Sequence, residues 1–266
     1  MNKNTFSTVK LAKGEMNVYD FGEVRLHAYK TNDFLADEVF FFEKDNRAVA
    51  LESPCFFDNY GEIEKYFAER GTVVEAMLIA YHMAGGTFLP SAKKYATKSA
   101  LEYGTKGGGK ALADGFTAAF GGLFDAAPHK IDEIVKDGRI TVAGIDFDIC
   151  PTEEAFDVVI PSLNAVYTHM LGHDCHSIVG GAAHADAMTA QLRGYLAKNY
   201  TLVLTSHYTP EDLKDVETKI AYLQNLKAIA AASKDSAEFK ARVRAAYPEY
   251  AGENYLDMTA ASFFAR

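Results

Sequence analysis

The sequence has few cysteines and no long apolar run, and both absences exclude classes of protein. Its three cysteines, Cys55, Cys150 and Cys175, lie far apart, and an odd, sparse set is not a disulfide framework. No stretch of about 18 apolar residues is present, so we predict no membrane-spanning helix. Residues 1–14 are polar and lack the apolar core of a signal peptide. The expected location is therefore the reducing cytoplasm.

Basic residues are also in the minority. Among 266 residues, 27 are Lys or Arg and 36 are Asp or Glu, which gives a formal net charge of -9. General binding to nucleic acid needs basic side chains to displace the counterions of phosphates, so we expect no nucleic-acid partner. Apolar residues make up 48% of the chain, and this much buriable side chain excludes a disordered protein.

Short apolar runs alternate with turns and helical patterns along the chain. Ile63, Tyr66 and Phe67 share one face of a helix that we predict over 62–70. Further helices are predicted over 186–198 and 210–232, the second with Pro210 in its first turn. The predicted strands are 24–29, 38–42, 47–51, 73–81, 140–143, 145–150, 156–160, 165–170 and 201–204. No linker interrupts these elements, so we predict one domain over residues 1–266.

Residues 84–123 differ from the rest, because nine of them are glycine. This composition predicts a loop-rich excursion that overhangs a site. Within it, Gly104–Ala111 nearly spells a phosphate-binding loop, but Ala111 replaces the Ser or Thr that would hold magnesium, and no strand directly precedes it. We interpret this stretch as a flexible loop.

Histidines at strand ends are the main chemical signal. His82 ends one predicted strand and His207 ends another. Between them, residues 169–176 contain His169, His173, Asp174 and His176. Imidazole and carboxylate are the usual ligands of zinc, iron and manganese. A lone histidine is more often a packing or surface residue, so the density of this cluster is what favours a functional role.

Several segments, taken in order, resemble a known family. The segment 77–82 resembles the strand that leads into a His-x-His-x-Asp-His metal motif, and 202–207 resembles the strand before a last histidine ligand. The other matching segments are a first hairpin at 39–42 and 48–52, an Asp-Gly strand start at 136–140, and a strand at 160–168. Over about residues 24–226 the chain resembles the metallo-β-lactamase superfamily of metal-dependent hydrolases. The resemblance implies an α/β fold of αββα sandwich type, with metals at one edge of its two sheets.

The metal motif itself is degraded. After His82, the next ligand positions of the motif are occupied by Ala84, Gly86 and Thr87. Ala84 and Gly86 have no metal-binding side chain, and Thr87 offers only a hydroxyl. The middle histidine of the family falls near residues 151–152. The bridging aspartate falls on Met170, and Asp174 takes that role only after a four-residue slip. The chain therefore lacks the ligands for the two-metal site of the family.

The resemblance still implies a site with one metal. We assign its ligands to His82 and His207, completed by a residue of the 169–176 loop, with His173, Asp174 and His176 as the assigned candidates. The metal would be zinc, iron or manganese, and it would activate a water against a small-molecule substrate. Two alternatives stay open: a non-catalytic protein that has lost its metal and binds a ligand or partner, and metal-free chemistry by the His/Asp cluster. The metal site predicts that three or more side chains point at one spot, out of the set His82, His169, His173, Asp174, His176 and His207. Such convergence would favour the metal site over both alternatives.

Weaker signals have ordinary interpretations. Cys55 and Cys175 are interpreted as buried and inert, and Glu153 and Glu154 as exposed turn acids, although either glutamate could replace a missing ligand. A basic patch over residues 91–110 contains Lys93, Lys94, Lys98, Lys106 and Lys110. We interpret this patch as a solvated face, and the alternative is that it steers an anionic substrate. The C-terminal aromatics fit a domain core as well as a contact in a homo-oligomer: Tyr247, Tyr250, Tyr255, Phe263 and Phe264.

Overall fold

The first sheet contains eight strands that lie side by side in chain order. The structure, a computed structural model, describes residues 3–169 and 171–265. Strands β1 to β5 pair antiparallel, and β5 to β8 pair parallel. The strands are β1 (Ser7–Lys10), β2 (Glu15–Asp20), β3 (Arg25–Lys30), β4 (Glu38–Lys44), β5 (Arg47–Leu51), β6 (Val73–Leu78), β7 (Lys93–Thr97) and β8 (Glu133–Val135).

The second sheet contains six strands in the order β14-β13-β12-β11-β10-β9. Strands β9 to β12 form successive antiparallel pairs. The strands are β9 (Gly138–Val142), β10 (Ile145–Pro151), β11 (Phe156–Ile160), β12 (Ala165–Thr168), β13 (Leu202–Thr205) and β14 (Tyr208–Glu211).

Helices connect and follow these strands. They are α1 (Tyr60–Arg70), α2 (Lys98–Lys106), α3 (Gly108–Phe120), α4 (Ala182–Lys198), α5 (Leu213–Ala231), α6 (Ser236–Ala246) and α7 (Glu253–Phe263). Within the described residues, none of these helices combines the length and apolar character required to cross a membrane.

Strand β4 shows how the two sheets and a helix are layered. Successive side chains of a strand point to opposite faces of its sheet. On one face, Phe42 packs edge to face on Phe147 of the second sheet, with ring centroids 5.5 Å apart. On the other face, Phe41 packs on Phe67 of α1 at 4.7 Å. Because both faces of β4 are covered, its sequence is an unbroken apolar run between two glutamates. The α/β fold of αββα sandwich type is confirmed.

The chain divides into two compact units. One contains Met1–His169 and Leu204–Pro210, and the other contains Met170–Val203 and Glu211–Arg266. The first sheet, α1 to α3 and strands β9 to β12 belong to the first unit, and α4 to α7 belong to the second. A single domain over residues 1–266 stays a prediction.

The predicted loop over 84–123 is wrong, because this segment contains β7, α2 and α3. A Cβ on Gly104 would lie 2.2 Å from Cβ of Met83, so α2 needs glycine there for close packing and not for a turn. Gly107 joins the two helices as the C-cap of α2 and the N-cap of α3. The stretch Gly104–Ala111 is therefore two helix ends and not a flexible loop.

The helix predicted from Pro210 also begins later. Pro210 lies in β14, at the edge of the second sheet, where a missing N–H is tolerated. The helix α5 starts after Asp212, whose side chain accepts from the backbone of Lys214 and Asp215. Asp215 bonds back to the backbone of Asp212 and completes a capping box. The other predicted helices and strands are confirmed, with small shifts at their ends.

Candidate metal centre

Three histidine rings converge in the first unit. His82 follows β6, His169 directly follows β12, and His207 lies in the turn between β13 and β14. Nε2 of His169 is 3.3 Å from Nε2 of His82 and 3.2 Å from Nε2 of His207. We call these three residues the histidine triad. They follow strands of both sheets, and one ring nitrogen of each lies within 4.8 Å of those of the other two.

The spacing of the triad fits a bound metal ion. Zinc binds histidine nitrogen at about 2.1 Å in tetrahedral geometry, which puts neighbouring ligand nitrogens about 3.4 Å apart. A neutral imidazole carries a single N–H, and a metal ion is a partner that three facing nitrogens can share through their lone pairs. Three protein ligands are the number that leaves one coordination position for water or substrate.

The buried carboxylate of Asp37 faces the ring nitrogen of His207 that does not point into the triad. Nδ1 of His207 lies 3.0 Å from Oδ1 of Asp37, just before β4. Burial lowers the pKa of His207, but the hydrogen bond and charge of Asp37 outweigh it, and the pKa is raised overall. Burial raises the pKa of Asp37, but the lowering by His82 and His207 is larger. The pKa is therefore lowered overall, and the group stays a carboxylate. In the neutral form of His207 this contact favours the proton on Nδ1, which leaves the Nε2 lone pair for a metal.

His169 is held as a neutral ring. Burial, and then the nearby His207 and His82, lower its pKa well below the usual value. The ring also stacks on Tyr81, with centroids 4.4 Å apart and an angle of 12° between the planes. A neutral, fixed imidazole is the form in which histidine binds metals.

Glu52, directly after β5, holds the turn that carries His82. Its Oε1 accepts from the backbone N–H of Tyr81 at 2.7 Å, and its Oε2 from that of His82 at 3.0 Å. Glu52 is buried and has a φ of +67°, in the left-handed region that non-glycine residues rarely adopt. Sequence reasoning gave Glu52 no role, although an acid that ends an apolar strand is the available signal.

A second group of ligand-type side chains lies in the second unit. Nδ1 of His173 is 2.8 Å from Oε1 of Glu211 and 3.6 Å from Oδ1 of Asp215. Glu211 also accepts from the backbone N–H groups of Gly172 and His173 at 2.9 and 2.7 Å. Burial raises the pKa of Glu211 in spite of its bond to His173. This group could hold a metal, and sequence reasoning found only its histidine.

The assigned ligands thus fall into separate groups. His82 and His207 join His169, which the assignment left out although it also follows a strand. His173 joins the second group. His176 bonds Tyr222 at 2.8 Å through Nδ1 in the second unit, and the carbonyl of Asp174 accepts from the backbone of Ala251. Met170 lies outside the described residues. The ligand roles of all five assigned residues stay predictions.

Most of the weaker signals keep their ordinary interpretations, but Lys94 of the basic patch is buried, so a solvated face is wrong for that residue. Cys55 is buried, and burial raises the pKa of Cys175 although Lys219 opposes the shift, so neither thiol is an activated thiolate. Glu153 and Glu154 are exposed beside the end of β10. Three lysines of the basic patch pair with acids: Lys93 with Glu133, Lys98 with Glu102, and Lys110 with Asp114. Rings of the C-terminal segment pack on one another in the second unit.

Comparisons with known proteins give the fold a name. No protein-family profile and no curated protein sequence matches the chain. Solved structures do match: a metallo-β-lactamase from Erythrobacter litoralis has a TM-score of 0.58 at 12% identity, with 82% of this chain and 100% of that chain covered. A metallo-β-lactamase family protein from Thermus thermophilus has a TM-score of 0.58 at 11% identity, with 90% of each chain covered. The chain has a metallo-β-lactamase fold.

A larger protein shares this fold. The stereoselective inverting sec-alkylsulfatase Pisa1 from Pseudomonas sp. matches with a TM-score of 0.61 at 14% identity over 88% of this chain. Only 48% of the alkylsulfatase is covered, so the present chain spans about half its length. The superfamily resemblance is confirmed at the level of the fold. In this metallo-β-lactamase fold the histidine triad lies at strand ends of both sheets, where the resemblance implies the metals.

Proposed function

We propose that the protein is a metal-dependent hydrolase that uses one divalent metal held by His82, His169 and His207. The observation that carries this proposal is the convergence of the three Nε2 atoms at 3.2 and 3.3 Å. Zinc suits a three-histidine set best, and iron or manganese are the other candidates. The fold is shared with metal-dependent hydrolases, which supports the reaction class but not a particular substrate.

The residues around the triad have defined tasks in this reaction. A metal bound there would lower the pKa of a coordinated water to about 7 and polarise a carbonyl or phosphoryl oxygen of a small-molecule substrate. Asp37 keeps His207 in the tautomer that presents Nε2. Tyr81 covers one face of His169, and Glu52 fixes the backbone of His82 through the bond at 3.0 Å. These contacts hold the ligands in place before the metal arrives, which lowers the cost of binding.

The alternative is a non-catalytic protein that binds a ligand or partner in the same cleft. Its support is the degraded motif, because Ala84 and Gly86 have no donor atoms in their side chains. The proximity of the three imidazole nitrogens favours the metal-binding hydrolase over this alternative.

Elemental metal content per chain tests the proposal. The protein is purified without a His-tag and without chelator, and then reloaded with zinc, manganese or iron salts. We expect about one metal per chain to be lost in His82→Ala, His169→Ala and His207→Ala alike. His184→Ala, which removes an exposed histidine of α4, is the matched control and keeps that metal. A wild-type chain without metal under every condition, or triad variants that keep all of it, would overturn the proposal.

A positive result leads to a substrate screen. Esters, lactones and phosphodiesters are tested with the reloaded wild type and with His169→Ala. Hydrolysis that follows metal occupancy supports the enzyme, whereas a metal-loaded protein that is inactive on every class supports the binding alternative.

A further inference from the structure

A buried tyrosine lies between the segments that carry the histidine triad. Tyr167 belongs to β12, two residues before His169, and its side chain is fully buried. Its hydroxyl is 2.5 Å from Oε1 of Glu52 and 2.5 Å from Oγ of Ser206, the residue before His207. Glu52 in turn binds the backbone of His82. One hydroxyl therefore contacts the supports of all three segments.

The direction of these hydrogen bonds follows from charge. A carboxylate only accepts, and a phenol has a single hydrogen. A phenol, whose usual pKa is about 10, keeps its hydrogen at neutral pH. Tyr167 therefore donates to Glu52 and accepts from the hydroxyl of Ser206. The Glu52 carboxylate then accepts from three donors, the hydroxyl and two backbone N–H groups.

Backbone contacts bring the segments of His169 and His207 together independently of this hydroxyl. The carbonyl of His169 accepts from the backbone N–H of Ser206 at 3.2 Å and from the hydroxyl of Thr205 at 2.9 Å. No such backbone contact between the segment of His82 and either of the others is described, so, apart from the contacts among the triad nitrogens themselves, the path through Glu52 and Tyr167 is the polar link that carries this argument. His82 comes from the first sheet, and the other two histidines from the second.

We propose that Tyr167 is a positioning residue, whose hydroxyl sets the spacing of His82 against His169 and His207 for metal binding. The inference rests on the proposed function. Metal sites tolerate deviations of only about 0.2 Å in ligand distance, so a small shift of one segment weakens binding. Without the hydroxyl, the Glu52 carboxylate and Ser206 each lose a buried partner, and the turn of His82 is no longer tied to β12.

The test compares two tyrosine variants. Tyr167→Phe removes the hydroxyl and keeps the ring, and metal affinity is measured by competition of zinc with a chelator of known affinity. We expect zinc to bind roughly 10- to 100-fold more weakly, the range found for partners that support metal ligands. Tyr29→Phe is the matched control, because Tyr29 is equally buried and donates to Glu62 while it accepts from Asn59 at 2.6 Å. Both variants lose stability, but only Tyr167→Phe loses affinity.

A second variant keeps the test decisive if Tyr167→Phe does not fold. Ser206→Ala removes the donor to Tyr167 and leaves the phenol, so we expect weaker zinc binding, by several-fold. In the double variant, Tyr167→Phe with Ser206→Ala, we expect the loss of zinc affinity to be smaller than the sum of the losses in the two single variants, because both substitutions act through one hydroxyl. The visible spectrum of bound cobalt(II) is a further readout, since it reports distortion of the ligand geometry and not stability.

The outcomes separate this inference from the proposed function. A wild-type chain that binds no zinc contradicts the proposed function and this inference with it. A wild-type chain that binds zinc, with an affinity unchanged in Tyr167→Phe and in Ser206→Ala, contradicts the positioning role alone.

Discussion

His129 is a buried histidine without hydrogen-bond partners at either ring nitrogen among the described residues. Burial, and then the positive charge of Lys94, lower its pKa to about 4. A protein interior disfavours the charged imidazolium, and a neighbouring ammonium adds repulsion. His129 is therefore neutral in the folded chain at pH values where the unfolded chain already carries its proton.

This difference predicts a loss of stability in acid. Below its ordinary pKa of about 6.5 the unfolded chain binds the proton, while the folded chain binds it only near pH 4, so the free energy of unfolding falls as the pH drops between these values. From about pH 7 to about pH 4.5 the contribution is about 2 kcal/mol. Urea unfolding of the wild type and of His129→Leu at both pH values measures it. We expect the wild type to lose about 2 kcal/mol more than the variant, and equal losses would contradict the assignment.

At the level of single residues, the sequence predicted the histidines better than their partners. His82 and His207 are recognisable because each follows an apolar strand closely. His169 obeys the same rule but stands beside His173 and His176, and spacing alone does not separate three histidines in one loop. Glu52 and Glu211 have no periodic signal at all, because their role arises from which loops meet in the fold.

At the level of elements, the high glycine content of residues 84–123 led to the wrong prediction of a loop-rich segment. Helix α3 contains Gly115 in its interior, and none of its residues is buried. Ala113, Phe116 and Phe120 recur at helical spacing and pack, partly buried, against Cys55, Phe56 and Phe124, but the glycines of the segment outweighed this pattern in the prediction. Helix α1 was predicted because its apolar residues recur with the helical period, and β4 was predicted from a short run rich in Val and Phe.

The two interior glycines of α2 and α3 give opposite predictions. A Cβ at Gly115 meets no atom within 4 Å, so Gly115→Ala should stabilise the protein by about 1 kcal/mol through helix propensity. A Cβ at Gly104 meets Met83 at 2.2 Å, so Gly104→Ala should destabilise it although the propensity gain is the same. Urea unfolding of both variants measures the difference. A destabilised Gly115→Ala, or a Gly104→Ala as stable as the wild type, would contradict this account.

At the scale of the whole molecule, the order of elements was enough to predict the αββα fold. The hairpin, the crossover helix and the second series of strands follow one another in a sequence that few architectures share. The same order says nothing of the division into two units, because that division passes through β13, inside a continuous run of strand residues. The place of His169 in the triad was also beyond it, since that place depends on where β12 ends against the other two loops.

Metal binding should contribute to the stability of the folded chain. An ion that binds only the folded state stabilises it by RT ln(1 + [L]/Kd), about 2.7 kcal/mol at a hundredfold excess over Kd. The triad lies wholly in the first unit, so the gain belongs to the unfolding of that unit. Unfolded histidines bind metal weakly and reduce the gain somewhat.

Thermal unfolding with and without a chelator measures this contribution. We expect zinc removal to lower the Tm of the wild type and of His184→Ala by the same amount, and to leave the Tm of His169→Ala unchanged, because that variant has no triad metal to lose. A Tm of the wild type that does not respond to chelator would contradict a metal held by the triad. A response that persists in His169→Ala would instead assign the bound metal to the other ligand group, His173, Glu211 and Asp215, where His173→Ala would abolish it.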